Sequence, residues 1–344
     1  MIFFDTTEVS SWRHESGLAR VSRRLLAELG GAATEARWPG MRSVPGAADW
    51  VLTSELFSEF ERPGFTAFIE ERRCRLTAVY HDAIPIRLPE ITWPRSVERH
   101  PGYMKLLARF DHVWAVSAAS REELLGFWKW QGVAHPPPVD VLPLGADGAG
   151  IPRSSGPAPG RGGPGAPRIV SVGILEPRKN QAMLLDACEA LRREGLEMEL
   201  HLVGRVNPHF GGPIARRVGE MRASWPGLRH HSDMGDAALA DLVRTARATA
   251  LASIAEGCGL PLLESLWMGV PCVCSGIASL VENAAAGGCA VVDGNDVEGW
   301  KAGLRRVLTD DAFHARLSSE ATNRPLPTWA GAARLLREAL QGPL

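Results

Sequence analysis

The chain has 344 residues, 45% hydrophobic and 22% charged, with a formal charge of −1 at pH 7. That length exceeds one ordinary domain and carries enough apolar residues for packed cores, so two domains are expected. The near-zero charge excludes a general nucleic-acid binder, and no apolar run approaches the roughly 18 residues of a membrane-spanning helix. Met1 leads straight into a predicted strand with no signal peptide in view, so a cytoplasmic protein with reduced thiols is expected. The six cysteines show no C-x-x-C pair or metal-ligand spacing, and Cys272 and Cys274 read as small core hydrophobes on one face of a strand.

In chain order, Ile2 to Phe4 reads as a first strand, and a loop leads from it to Ser16 and Gly17. Leu18, Val21, Leu25 and Leu29 recur at helical spacing; Ser16 is the N-cap, and Gly17 allows close backbone approach to a ligand. Signals weaken from Trp38 to Glu71, with a strand expected near Asp49 to Thr53 and a short helix from Thr66. Arg75 to Tyr80 is a buried strand ending in His81 and Asp82, just beyond a parallel strand's carboxyl end, where ligands bind. A helix from Arg95 to Phe110, a strand from His112 to Val116, a helix from Ser117 to Trp130 and a strand from Val139 to Pro143 follow. The stretch from Gly148 to Pro167 is linker-like in its Gly, Pro and Ser. Its G-R-G-G-P-G run satisfies the dinucleotide fingerprint in form only, since it precedes a strand and opens no helix.

A second alternating set begins with a strand at Arg168 to Val172. The loop from Gly173 to Asn180 puts Arg178 and Lys179 just before a helix over Gln181 to Arg193. Two cations there oppose the helix dipole and have little structural benefit unless an anion binds. Strands at Glu199 to Val203, ending in Gly204, and at Leu228 to His231 precede a helix from Asp236 to Ala246. His230 and His231 point to opposite faces of a strand without a third partner, so no metal is expected. The next strand ends near Ala252 and turns through Glu256, Gly257, Cys258 and Gly259 into a helix from Leu260 to Met268. Backbone N–H groups at such a glycine-rich helix start are free to meet an anion or hydroxyl. Were the helix to begin at the turn, Glu256 and Glu264 would lie roughly 12 Å apart along its axis, suiting two ends of a nucleotide-sized ligand. A strand from Val270 to Cys274, another helix beginning in the stretch Ser275 to Glu282, a strand and turn over Gly287 to Asp293, and helices over Asp296–Leu308, Asp311–Glu320 and Trp329–Leu340 complete the chain. The strand–helix alternation in both halves predicts two parallel α/β domains.

The run E-G-x-G-L-P-x-L-E-x-x-x-x-G-x-P, from Glu256 to Pro271, closely resembles the donor-site signature of the retaining family-4 glycosyltransferases. E-P-R-K-N at Glu176 to Asn180, H-D-x-I-P at His81 to Pro85 and S-G-L-A-R-V at Ser16 to Val21 resemble further elements of that family. The resemblance implies the GT-B fold, two Rossmann-like parallel α/β domains facing across a cleft. Residues 1–150 would form the acceptor domain, with a C-terminal helix in 325–344 packing back on it. Residues 151–167 would be a linker that helps the cleft close, and 168–324 the nucleotide-sugar donor domain. It implies that Glu256 faces the donor sugar, Glu264 the ribose, and Lys179 and Arg178 the diphosphate, with His81 near sugar and acceptor. Gly17, Gly173, Gly204, Met234, Gly257, Cys258, Gly259, Leu260, Ser279 and Leu280 would complete the donor site, and Arg20, Asp82 and Arg121 the acceptor side. Two positions depart from the pattern. Cys258 stands where members often carry an aromatic residue, and Ile174 where many have arginine, a contact that Arg178 would replace.

The expected activity is therefore retaining transfer of a hexose, in the manner of mannosyltransferases, to a hydroxyl of a glycan, lipid-linked or small-molecule acceptor. GDP-mannose is the donor type that the resemblance favours, with no cofactor, no nucleic acid and room for peripheral membrane contact. No Asp-x-Asp pair occurs, so no metal-bridged diphosphate is expected. The alternatives are a nucleotide-sugar epimerase or phosphorylase on the same architecture, or a catalytically silent sugar-nucleotide-binding protein. A phosphorylase would need a pyridoxal-binding lysine, and Lys179 is already committed.

Overall fold

The computed structural model describes residues 1–10, 16–43, 45–156, 165–293 and 295–341. The chain divides into two compact units. Unit 1 is Met1–Gly145 with Pro327–Leu344, and unit 2 is Ala146–Leu326.

Unit 1 contains strands β1 (Ile2–Asp5), β2 (Ala33–Ala36), β3 (Trp50–Thr53), β4 (Arg75–Tyr80), β5 (His112–Ala115) and β6 (Val139–Val141). Among the described residues they form one parallel sheet in the order β2-β1-β3-β4-β5-β6. β1, β3 and β5 are apolar at nearly every position because helices cover both faces of such a sheet. Ser16 caps the helix Gly17–Leu29 as expected, its Oγ accepting the Ala19 N–H at 3.1 Å. That helix buries Val21, Ser22, Leu25 and Leu29 and packs against the C-terminal helix Trp329–Gln341. Trp329 is fully buried there, so close to Gly145 that a Cβ on that glycine would lie 2.3 Å from the Trp329 backbone nitrogen.

Unit 2 contains β7 (Arg168–Val172), β8 (Glu199–Val203), β9 (Leu228–His231), β10 (Ala248–Leu251), β11 (Cys272–Ser275) and β12 (Cys289–Val292). These described strands pair in parallel in the order β12-β11-β10-β7-β8-β9. The helix Gln181–Arg193 buries Leu184, Leu185, Cys188 and Leu191 on one face, against Leu200, Ala250 and Trp300. The strand order reverses in each unit, between β1 and β3 and between β7 and β10. The carboxyl ends flanking such a reversal leave a crevice for ligands.

Three features differ from the sequence reading. β2 and the helix Gly212–Arg222 are additional elements. The segment read as a linker from residue 151 begins as a fixed part of unit 2. Trp267 donates its indole N–H to the Ile151 carbonyl at 2.8 Å, Ser154 N–H donates to Trp267 at 3.1 Å, and Arg153 donates to the Thr322 carbonyl at 2.9 Å. Residues 157–164 of that linker, with most of the G-R-G-G-P-G run, lie outside the described residues, as do residues 342–344 of the expected C-terminal helix.

Candidate functional site

The reversal in unit 2 brings two loops together. The loop after β7 runs from Gly173 through a short turn at Pro177–Lys179 to Asn180, which is left-handed (φ 50°) and opens the helix Gln181–Arg193. Lys179 folds back over Gly173, where a Cβ would lie 3.2 Å from the lysine Cε. The loop after β10 runs from Ser253 to Gly259, which has φ +83° and starts the helix Leu260–Trp267. A Cβ on Gly259 would strike Leu280 Cδ2 at 2.3 Å, so both conformation and space require glycine there.

Between these loops lies a buried ion network. Lys179 Nζ donates to Glu256 Oε1 at 2.5 Å, and Ser253 Oγ donates to the same oxygen at 2.6 Å. Arg178 Nη1 donates to Glu256 Oε2 at 3.2 Å and to the Ala255 carbonyl at 2.9 Å. Its Nε and Nη2 face Glu176 Oε1 at 3.0 and 2.8 Å, and Asn207 Nδ2 donates to Glu176 Oε2 at 2.8 Å. All three guanidinium nitrogens are thus directed at the protein. Among the described residues the Lys179 ammonium, with three donors, meets one acceptor. Burial opposes ionisation of Glu256, yet Lys179, Arg178 and the hydrogen bonds from Lys179 and Ser253 hold its carboxyl down at about 2. Burial lowers the Lys179 pKa and Arg178 adds to that, against the pull of Glu256.

This geometry revises two sequence arguments. The Arg178–Lys179 pair is matched by the protein's own Glu176 and Glu256, so an external anion is not needed to account for it. The helix bearing Glu264 begins at Leu260, beyond Glu256, so the axial spacing estimated from a start at the turn does not apply. Glu264 instead lies against the backbone at Gly148, where a Cβ would be 3.0 Å from its Oε1.

The remaining unit 2 positions sort by what each touches. Ser279 Oγ donates to the Glu256 carbonyl at 2.8 Å, which ties the helix Ala278–Ala284 to the network. The Leu280 N–H is committed to the Ile277 carbonyl at 3.0 Å. Asn283 Nδ2 donates to the Cys258 carbonyl at 2.6 Å, and burial pushes the Cys258 thiol up to about 12, so it is an apolar lining group. Gly257 lies between Glu256 and Cys258 in that turn. A Cβ on Gly204 would sit 2.2 Å from the Gly173 carbonyl oxygen, so these two glycines let the ends of β7 and β8 touch. Met234 is half-buried against Val203, Ala240 and Val243.

In unit 1, His81 directs Nε2 at the Ser54 carbonyl, 2.9 Å away, and its own carbonyl accepts from Ser120 Oγ at 2.7 Å. A carbonyl partner makes Nε2 the protonated nitrogen and leaves Nδ1 an acceptor. Burial lowers the His81 pKa, which favours this neutral form. Asp82 is engaged locally, its Oδ1 accepting the Ile84 N–H at 2.9 Å and its carbonyl facing His100 Nε2 at 2.8 Å. Arg121 donates Nε to the Val139 carbonyl at 2.7 Å, at the start of the edge strand β6. Gly17 is exposed and a Cβ there would meet nothing within 4 Å; Arg20, in the same helix, is half-buried.

Sequence reasoning passed over Ser253, Glu176 and Asn207. The S-x-x-E spacing of Ser253 and Glu256 was the available signal for the first, since a turn brings residues three apart close enough for a hydroxyl to reach a carboxylate. Asn207 carried none, because only the fold brings it to Glu176.

Residues 166–310 match the family described as Glycosyl transferases group 1. The serotype-specific mannosyltransferase WbdA of Escherichia coli is 29% identical over 218 residues, 57% of this chain and 25% of that protein. The MMP alpha-(1->4)-mannosyltransferase of Mycolicibacterium hassiacum is 28% identical over 267 residues, 74% of this chain and 61% of that protein. The chain thus spans about a quarter of the length of the first of these relatives. Among solved structures, sucrose-phosphate synthase from Thermosynechococcus elongatus superposes with a TM-score of 0.69 at 15% identity, over 99% of this chain and 98% of that one. The fold is the one shared with that enzyme, two parallel α/β units of GT-B type.

Proposed function

We propose that this chain, whose residues 166–310 are a glycosyl transferases group 1 domain, is a retaining glycosyltransferase. It moves mannose from a GDP-mannose-type donor to a hydroxyl of a glycan acceptor, without a metal ion. The observation that carries this reading is the Lys179–Glu256–Arg178 network at the strand reversal of that domain. Both relatives are named mannosyltransferases, which supports the sugar. Retention is supported by the resemblance of Glu256 to Pro271 to the family-4 donor signature. Lys179 turns its remaining N–H donors to the departing diphosphate, where fixed charge at a developing anion is most effective. Arg178 holds Glu256 in place, and Glu256 accepts a hydroxyl of the sugar. Glu264 takes the ribose. Backbone groups at Gly257 to Leu260 and Ser279 complete the donor contacts, with Met234 beside the base and Gly17 at the diphosphate; Gly173 and Gly204, whose N–H groups are bonded to the Val203 and His231 carbonyls, let the nucleotide come close to the backbone. The Nδ1 of His81 accepts a sugar hydroxyl, and Arg20, Asp82 and Arg121 serve the acceptor. A leaving phosphate oxygen takes the acceptor proton, so no separate base is required.

Among the described residues no helix is long and apolar enough to cross a membrane. The free cysteines accord with a cytoplasmic setting. Thermal shift against GDP-mannose, UDP-glucose and ADP-glucose tests the donor, since a ligand at a hundredfold excess over its Kd stabilises by about 2.7 kcal/mol. GDP-mannose should give the largest shift, and a panel without any shift sinks the reading. Metal independence is supported by the absence of an Asp-x-Asp pair. Acceptor-dependent GDP release should persist in EDTA; loss in EDTA with recovery on adding Mg²⁺ or Mn²⁺ refutes that part.

A further inference from the structure

Asn207, in the loop after β8, has no part in the donor contacts, yet it is buried and engages each of its four polar atoms. Its N–H donates to the Leu175 carbonyl at 3.0 Å and its carbonyl accepts from Gly211 at 2.8 Å. With Leu175 N–H donating to the Arg205 carbonyl at 2.8 Å, the pairing of β7 and β8 runs on beyond the sheet. A Cβ on Gly211 would overlap the Leu175 carbonyl, so the two loops are packed backbone to backbone.

The side chain has two separate tasks. Oδ1 accepts the His209 and Phe210 N–H groups at 2.9 and 3.2 Å, which closes the turn. Only the amide oxygen can accept two N–H groups, so Nδ2 must be the atom that meets Glu176 Oε2 at 2.8 Å. That second bond is not needed for the turn, and its charged acceptor makes it one of the stronger kind. It leaves Glu176 Oε1 to receive Arg178 side-on, through Nε and Nη2. A guanidinium is a rigid planar fork, so a side-on partner on one edge sets where the third nitrogen points. Here Nη1 points to Glu256 and the Ala255 carbonyl. One amide thus sits at the head of a chain that crosses the loops after β8, β7 and β10.

We propose that Asn207 is a positioning residue for the transfer step: through Glu176 it fixes the plane of the Arg178 guanidinium, and so the direction in which Arg178 holds Glu256. This rests on the role given to Glu256 above. Two variants separate the two tasks of the side chain. Asn207→Asp keeps an oxygen for the His209 and Phe210 N–H groups but sets a second carboxylate against Glu176. Like charges so close favour uptake of a proton as pH falls, and that proton restores a donor to Glu176. Asn207→Ser keeps an acceptor for the turn but is too short to reach Glu176 at any pH.

Exchange of the Arg178 Nε–H, followed by heteronuclear NMR of the ligand-free chain and assigned with Arg178→Lys, is measured beside GDP release from GDP-mannose. At about pH 7.5 both variants should exchange at least about tenfold faster than wild type at that N–H. There kcat should fall at least about fivefold while KM for GDP-mannose stays within about threefold, the mark of an interaction made in the transition state. At about pH 5.5 the Asn207→Asp rate relative to wild type should recover at least about threefold, and the Asn207→Ser ratio should stay flat. Taking the ratio cancels, to first order, the titrations of Glu176, Arg178, Lys179, Arg205, His209 and Glu256, which all the proteins share. Unchanged Arg178 exchange, turnover within about twofold of wild type, or an Asn207→Asp deficit equal at both pH values overturns the proposal. A wild type that releases no GDP from GDP-mannose overturns the donor reading instead, and the exchange measurement, which uses no donor, still decides whether Asn207 fixes Arg178. Should Asn207→Asp fail to fold, exchange and turnover of Asn207→Ser decide.

Discussion

Glu256 is almost fully enclosed, yet it faces three donors from Lys179, Arg178 and Ser253, and each lowers the cost of its charge. Replacing it by glutamine removes that charge while keeping the shape, and frees Lys179 for a ligand anion. Turnover should fall at least tenfold, as for other losses of charge aimed at a reacting group, while calorimetric affinity for GDP stays within about threefold. A parallel loss of GDP affinity would count against the role given to Glu256. The same carboxylate has a pH signature. Its folded pKa of about 2 lies below the ordinary 4.5, so the stabilisation is complete above pH 4.5 and is lost as pH falls towards 2. The shift corresponds to about 3 kcal/mol. Urea unfolding of wild type and Glu256→Gln across that window should show their stability difference shrinking by about this amount in acid, and a constant difference would contradict the assignment.

Two glycines of the expected donor site show how the elements around them differ. Gly204→Ala puts a methyl into the Gly173 carbonyl, backbone against backbone, in a glycine-only conformation (φ +148°). It should destabilise by more than about 1 kcal/mol whatever the ligand. Gly17→Ala meets open space in a helix, so the melting temperature should hold or rise while KM for GDP-mannose increases. A drop in melting temperature for Gly17→Ala would remove the case for a ligand-imposed glycine. Both glycines stood out in the sequence, but only coordinates separate a contact with the chain from room for a ligand. Most strands were legible because a parallel sheet covered on both faces writes itself as short apolar runs. β2 was not: Ala-Thr-Glu-Ala has no apolar run, and it is a strand because its backbone pairs with β1. The helix Gly212–Arg222 was missed for a similar reason, since it fully buries only Val218. At the site, Glu256, Lys179 and Arg178 were legible from local motifs. Their mutual pairing was not, because Glu256 lies far along the chain from the two cations.

Each unit has its own core, and the chain leaves unit 1 at Gly145 and re-enters it at Pro327. Helix Trp329–Gln341 covers Gly17–Leu29, burying Trp329, Ala332, Ala333, Leu336 and Leu340. Removing residues 327–344 uncovers that face, so hydrogen exchange should accelerate across β1 and Gly17–Leu29 while β7, β8 and β10 keep their protection. Equal acceleration in both units would show that they unfold as one. The same connectivity sets an order of events during synthesis. Unit 2, from Ala146 to Leu326, is contiguous and can fold as soon as it clears the ribosome. Unit 1 emerges first but must wait for its last helix. At ordinary elongation rates the interval is roughly 10–40 s, long on the scale of folding. Throughout it the nascent chain carries an uncovered apolar helix face, so the first half made is the last finished and is the half most dependent on chaperones.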